Sequence, residues 1–351
     1  MRAAIVGCGD IAERYAACID ALEPLTLVGV TDVLADRAEK LARVFGVRRY
    51  ETLDDVLGDE DVQLVVNLTV PASHATVSAA ALEAGKHVHT EKPVALRYEE
   101  ARDLAALARR NGVRLSCAPA TLLGEAQQTA WKLVREGAIG MVRVAYAEAN
   151  WGRIETWHPS PQGLYAVGPL VDVGVYPLTL LTAMFGPVRR VTGYETKLLP
   201  ERVTTSNEPF VVGAPDFVVA VLDFETGLVA RATATFWVRP GRQRGLELHG
   251  DSGSLYLASW GEFDSLLDTS EDGETYTPVP LLREPFPGID WGRPLADLAE
   301  AVEEGRPHRA SAEHAAHVVE VMEAIGLAGV EERPVDVLSD FEPPLPMEWA
   351  S

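Results

Sequence analysis

The sequence predicts an α/β protein in two parts: a doubly wound parallel sheet over residues 1–121, and a second α/β region over 122–351 with an antiparallel sheet. Three observations carry this. Up to about residue 120, short near-continuous apolar runs alternate with helical periodicity, the pattern of parallel strands covered on both faces. The glycine-bearing segment Gly7-Cys8-Gly9-Asp10-Ile11-Ala12 joins the first apolar run to the first helix. After residue 140 the pattern changes to period-two alternation, as in Val142-Arg143-Val144-Ala145-Tyr146-Ala147.

In chain order, strands are expected at 2–6, 25–31, near 47–50, 62–69, 86–90 and 113–118, with helices at 11–22, 35–45, 73–84 and 97–110. Gly85 and Gly112 follow helices, where a glycine closes the last turn. A helix near 125–136 leads to Gly137 and Gly140, and alternating runs follow at 217–224 and 228–237. Thr226-Gly227 and Ser252-Gly253 are set as hairpin turns. Further helices are expected near 170–184, 294–304 and 311–329. Pro177 deprives the 170–184 helix of a bond to the Val173 carbonyl and is expected to kink it. The tail, with Pro343, Pro344 and Pro346, is expected to run extended over the surface.

At 351 residues and 47% hydrophobic, the chain has material for about two domains with real cores. A net charge of −21 argues against nucleic acid as a partner, since phosphate binding relies on Lys and Arg. Cys8, Cys18 and Cys117 make no disulfide framework, and a reducing cytoplasm is the expected location. The chain enters a strand at once, so no signal peptide is expected. No apolar run approaches the ~20 residues that span a bilayer, so no membrane partner is expected.

The first chemistry lies in the fingerprint. Gly7 permits a tight strand-to-helix turn, Gly9 lets the backbone approach a pyrophosphate, and Ala12 lets helix and strand pack closely. Asp10 and Ile11 open a helix whose free N–H groups and positive dipole end suit phosphates. Asp32 ends the second strand; an acid there accepts from ribose hydroxyls and repels a 2′-phosphate, which favours NAD. Arg37, five residues on, could accommodate that phosphate, so NADP stays open. A helix cap is the other reading of Asp32.

Three more segments fall where ligands of open α/β sheets bind or beside them. The loop from Asn67 to His74 lies beyond the fourth strand, which places Leu68, Thr69, Pro71 and His74 for the nicotinamide ribose. Ser73 also reads as an N-cap, and His74 as an ordinary helix-start histidine. Glu91-Lys92-Pro93 ends the fifth strand and sends a lysine toward the cleft; a surface ion pair is the plainer reading. Asp172 and Tyr176 are four apart and share a helix face, either as a site pair or as a core tyrosine satisfied by the aspartate.

Together these pieces resemble the Gfo/Idh/MocA family, named for glucose–fructose oxidoreductase and inositol dehydrogenase. The resemblance rests on Gly7 to Ala12, on Gly85-Lys86-His87 running into Glu91-Lys92-Pro93, and on Asp172 with Tyr176. It implies an N-terminal Rossmann domain and a C-terminal α/β domain. For that second domain the resemblance implies a large, open and mainly antiparallel sheet, with one face expected to be buried in a homodimer or homotetramer. Tyrosine at 176, where the inositol dehydrogenase branch has histidine, resembles the glucose–fructose oxidoreductase, dihydrodiol dehydrogenase and sugar ketoreductase branches. Trp157-His158-Pro159 resembles a subgroup whose reaction is not assigned.

The implied activity is hydride transfer between NAD(P) and a carbinol or keto carbon of a sugar, sugar derivative or related cyclic alcohol. Tyr176 is then the candidate acid/base, and Lys92 the cation that favours its phenolate and binds the substrate oxygen. Asp172 would orient the substrate or Lys92. His158 is a rival proton handler, and Trp151 and Trp157 suit the wall of a sugar site. His314 and His317, beside Glu313, read as a solvated helix face, and no metal site is expected. His87 and His89 alternate on a strand and receive no catalytic role. Two rival functions share the fold: a cofactor-binding regulator without turnover, and an NAD-dependent glycoside hydrolase.

Overall fold

A computed structural model describes residues 1–239, 241–271 and 273–351. They form two compact units, Met1–Ala120 with Asp290–Val319, and Thr121–Ile289 with Glu320–Ser351.

The first unit begins β1 (Arg2–Val6), α1 (Ala12–Ala21), β2 (Thr26–Thr31), α2 (Ala35–Phe45), β3 (Arg48–Arg49) and α3 (Leu53–Gly58). It continues β4 (Leu64–Asn67), α4 (Pro71–Glu83), β5 (His87–Thr90), α5 (Tyr98–Arg110) and β6 (Leu115–Cys117). The six strands are parallel in the order β3-β2-β1-β4-β5-β6, so the doubly wound expectation holds. Ala3, Ala4 and Ile5 of β1 and Leu64, Val65 and Val66 of β4 are fully buried, as strands covered on both faces must be. The short helix α3 adds to the expected elements, and Thr52 and Asp55 form a reciprocal capping box at its start.

Neither unit is contiguous in sequence. Residues 290–319 return to the first unit. On the helix Arg293–Glu304, Leu295, Leu298 and Ala299 enter the core formed by Tyr15, Ala16, Ile19, Leu25 and Leu27. An apolar stripe shows that a helix buries a face; it does not say which core receives it. His314 and His317, expected in solvent, are also buried.

The second unit contains α6 (Glu125–Arg135), β7 (Val142–Asn150), α7 (Gln162–Pro169), α8 (Val175–Phe185), β8 (Val188–Thr196), β9 (Glu201–Val203) and β10 (Pro209–Val211). Then come β11 (Phe217–Phe224), β12 (Val229–Thr235), β13 (Gly245–Gly250), β14 (Ser254–Leu257), β15 (Leu267–Ser270) and β16 (Thr277–Pro278). With α9 (Arg293–Glu304) and α10 (Ala312–Glu331) counted in chain order, β17 (Val335–Asp336) closes the series. The main sheet has nine strands in the order β16-β15-β14-β13-β7-β12-β11-β8-β17. Every neighbouring pair is antiparallel except β7 with β12. The turns at Thr226-Gly227 and Ser252-Gly253 join β11 to β12 and β13 to β14, as expected. Along β11, Val218, Ala220 and Leu222 are buried while Val221 is exposed, so one face of the sheet is packed and the other open.

The helix expected at 170–184 starts earlier and is broken differently. Gly168, at φ +78°, interrupts the helical path, Leu170–Gly174 form a π turn, and α8 follows. The kink expected at Pro177 is therefore replaced by a wide turn just before it. Proline lacks an N–H and crowds the carbonyl four residues back; a widened turn relieves both. The stretch Gln162–Phe185 is also 24 residues long and apolar enough to cross a membrane by length and composition, which corrects the reading that no run approaches that size. It is mostly buried inside the fold and interrupted at Gly168, as a core helix can be. The proline-bearing tail is pinned rather than merely laid down. Met347 N–H donates to Gln128 Oε1 at 2.9 Å, and Phe341 and Ala350 are buried.

Candidate active site

In the first unit the β1–α1 turn is built around Gly7. Its φ is +96°, and a Cβ there would stand 2.7 Å from the Leu68 backbone, so both conformation and packing require glycine. Gly9 differs. A Cβ there would meet nothing within 4 Å among the described residues, so the fold itself does not demand glycine at that place. An approaching pyrophosphate does. No described side chain caps α1, whose first turn begins at Ala12 after Ile11. The Asp32 carboxylate accepts from Cys8 N–H at 2.6 Å and Leu34 N–H at 2.7 Å, which sets it beside the glycine turn, half-buried. Arg37 is exposed at the start of α2. Open space at Gly9, an uncapped helix start and an aspartate at the end of β2 are the features a dinucleotide needs here.

The loop after β4 is locked from within. Asn67 accepts from Thr69 Oγ1 at 2.7 Å, and its amide donates to the His74 carbonyl at 3.0 Å and to Ser78 Oγ at 3.1 Å. Leu68 is buried, Thr69 and Pro71 half-buried. His74 is buried, with Nδ1 2.7 Å from the Pro93 carbonyl and Nε2 2.9 Å from the Thr69 carbonyl. Its ring thus ties the β4 loop to the β5 loop.

Glu91 is buried at the end of β5, and Lys92, half-buried, follows it. Glu91 accepts from the Tyr15 phenol at 2.7 Å through one oxygen and from Lys92 N–H at 3.1 Å through the other. Behind Tyr15, His89 Nε2 lies 3.4 Å from the phenol oxygen and His89 Nδ1 lies 3.0 Å from Ser116 Oγ. Burial, with a smaller push from His308, takes the His89 pKa down to about 3, so its imidazole is neutral.

In the second unit, Asp172 lies in the π turn and Tyr176 in the first turn of α8; both are half-buried beside the buried Val173, Gly174 and Val175. The turn packs tightly on the sheet: a Cβ at Gly174 would lie 3.1 Å from that of Ala234. The Tyr176 ring rests against Trp260, centroids 4.8 Å apart, and Trp260 Nε1–H donates to the Glu148 carbonyl at 3.2 Å. Trp151 and Trp157 are exposed, at 40% and 47%. His158 makes a loop bond, accepting from Ser160 N–H at 3.0 Å through Nδ1, and lies edge-on to Trp157.

One cluster in this unit escaped the reading of the sequence. Arg202 is fully buried and bonds to Glu155 at 2.9 Å and to Asp216. Tyr165 donates to Glu155 at 2.5 Å, and the Arg202 guanidinium lies over the rings of Tyr165 and Trp237. Burial pushes the Glu155 carboxyl up, but bonds from Tyr165, Arg153 and Arg202 outweigh it and hold the group below the usual range. The hub fixes the loop that leads to Trp157 and His158 and the helix that leads to the π turn. Its members are separated along the chain, and nothing local announces their meeting.

Residues 1–118 match the oxidoreductase family with an NAD-binding Rossmann fold, and residues 127–256 match the GFO/IDH/MocA C-terminal domain. A dTDP-3,4-didehydro-2,6-dideoxy-alpha-D-glucose 3-reductase of Streptomyces violaceoruber is 30% identical over 258 residues, 73% of this chain and 72% of its own. The chain belongs to the Gfo/Idh/MocA family. It is an NAD(P)-dependent oxidoreductase whose first unit is the NAD-binding Rossmann domain. D-apiose dehydrogenase of Paraburkholderia graminis is 24% identical, covering 74% of this chain and 68% of its own. Among solved structures, levoglucosan dehydrogenase with NADH and L-sorbose shares the fold at a TM-score of 0.83 and 21% identity, covering 97% of this chain and 99% of its own.

Proposed function

We propose that this Gfo/Idh/MocA protein moves a hydride between NAD and a carbinol or keto carbon of a sugar, a sugar derivative or a related cyclic alcohol, with Lys92, Tyr176 and Asp172 as its catalytic residues. The observation that carries the reading is chemical. A lysine lies two residues beyond β5 of a dinucleotide-binding unit, and in the other unit a half-buried carboxylate in the π turn and a half-buried phenol in the first turn of α8 are four residues apart. Relatives named as acting on a dideoxyglucose derivative and on apiose support the substrate class.

NAD, when bound, supplies the hydride acceptor or donor. Gly7, Gly9, Asp10 and Ile11 then hold the pyrophosphate, and Asp32 accepts from the adenosine ribose while Arg37 flanks it. Leu68, Thr69 and Pro71 line the nicotinamide side, and His74 and Glu91 hold the two loops that form it. Lys92 donates to the substrate oxygen as negative charge develops there. Tyr176 takes the hydroxyl proton on oxidation and returns it on reduction; Asp172 orients the substrate hydroxyls. Trp151, Trp157 and His158 form the sugar wall. The open sheet face, with Tyr194 60%, Val221 42% and Val229 41% exposed, supports a homodimer or homotetramer built on that face. Cys8, Cys18 and Cys117 are free thiols, in keeping with a reducing compartment.

Purified protein with NAD and a panel of aldoses, polyols and cyclic diols, followed by absorbance of the reduced cofactor, tests this. Substrate-dependent reduction is expected. In Lys92→Met, kcat should fall about 10²- to 10³-fold while NAD still binds. Full activity in that variant would remove Lys92 from the mechanism.

A further inference from the structure

We infer that Tyr15 is a positioning residue for Lys92, acting through Glu91. The inference rests on the reading of Lys92 given above. Tyr15 sits on α1, far from Lys92 in sequence, and its side chain is buried. Its ring packs against Trp291 at 5.6 Å, so the segment that returns to the first unit covers this chain of polar groups.

The proton directions are fixed by elimination. A carboxylate only accepts, so the Tyr15 O–H must point to Glu91 Oε1. The phenol oxygen can then only accept from His89, so Nε2 carries the one proton of that neutral imidazole. His89 Nδ1 is left as an acceptor, and Ser116 Oγ–H fills it. The direction therefore runs from Ser116 through His89 and Tyr15 to Glu91, with each group satisfied. The second Glu91 oxygen holds Lys92 N–H, the backbone atom that fixes where the lysine side chain departs. His74 holds the next residue from the other side, at the Pro93 carbonyl. Two buried side chains, one on α1 and one on α4, thus bracket the lysine.

The test needs no substrate. Acylation of lysines by sulfosuccinimidyl acetate, resolved by peptide mass spectrometry, gives the labelling rate of Lys92 relative to the exposed Lys40 of α2. Tyr15→Phe removes one oxygen and keeps the ring against Trp291. It should raise the Lys92/Lys40 ratio about three- to tenfold, the worth of one hydrogen bond. Glu91→Ala should raise the ratio by a similar factor. The double variant should match the single ones instead of multiplying them, because both cut the same connection. An unchanged ratio in Tyr15→Phe, or effects that multiply, would overturn the inference. A parallel rise at Lys40 would mark general loosening of the unit and would also overturn it. Failure to find any oxidised sugar would sink the reading of the reaction and leave this labelling result standing.

Discussion

Gly7 and Gly9 look alike in the sequence and do different work in the structure. Gly7 is required by the protein's own backbone, whereas at Gly9 no atom of the described residues stands in the way of a side chain. The two substitutions should therefore separate. Gly9→Ala should leave Tm within about 1–2 °C of wild type, as expected where a new methyl meets no atom, and weaken NAD at least tenfold in a calorimetric titration. Gly7→Ala should lower Tm itself, because a side chain must enter the left-handed region and meet the Leu68 backbone. Equal loss of Tm in both variants would contradict this division. Arg202 supplies a second prediction of the same scale. Arg202→Met leaves Glu155 and Asp216 buried with no guanidinium between them. Denaturant unfolding should show a loss of about 3–5 kcal/mol, the cost of breaking a buried pair on one side. The glycines were legible in the sequence because their signal is local: strand, turn and helix follow within a dozen residues. Arg202 was not, because Glu155, Tyr165 and Asp216 meet it only through the fold.

At the scale of elements, strands and helices of the first unit other than the short α3 follow their expected places closely, since apolar run length and helix-ending glycines both mark them. The helix before Tyr176 did not. Proline 177 pointed to a disturbance, and the disturbance lies instead at Gly168 and in the π turn that holds Asp172. A widened turn depends on what the sheet allows beneath Gly174, and no spacing rule contains that. The buried histidines give an element-level prediction. Burial, with smaller pushes from His308 and His317 respectively, takes the pKa of His89 on β5 and His314 on α10 down to about 3. Unfolded, such groups titrate near 6.5, so between those values the unfolded chain binds more protons than the folded one. Stability is then complete above pH 6.5 and falls as pH drops toward 3. Thermal melts from pH 7.5 to 4.5 should show Tm declining with acidity. For His89→Gln that decline should be shallower, and an identical slope would contradict a neutral buried His89.

For the whole molecule, the family and both sheet types were readable from order and spacing of motifs, while the return of 290–319 to the first unit was not. That return is decided by which core accepts Leu295 and Leu298, a property of the assembled chain. The proposed reaction likewise draws on the whole chain, since Lys92 belongs to one unit and Tyr176 to the other. A double-mutant cycle of Lys92→Met and Tyr176→Phe on kcat, with NAD binding measured in each variant, tests it most directly. If both side chains serve one oxygen atom, the double variant should be scarcely slower than the worse single one, a coupling of at least ~1.5 kcal/mol between interacting residues. Losses that simply multiply, with NAD still bound, would mean that the two do not act on the same atom and would contradict the account.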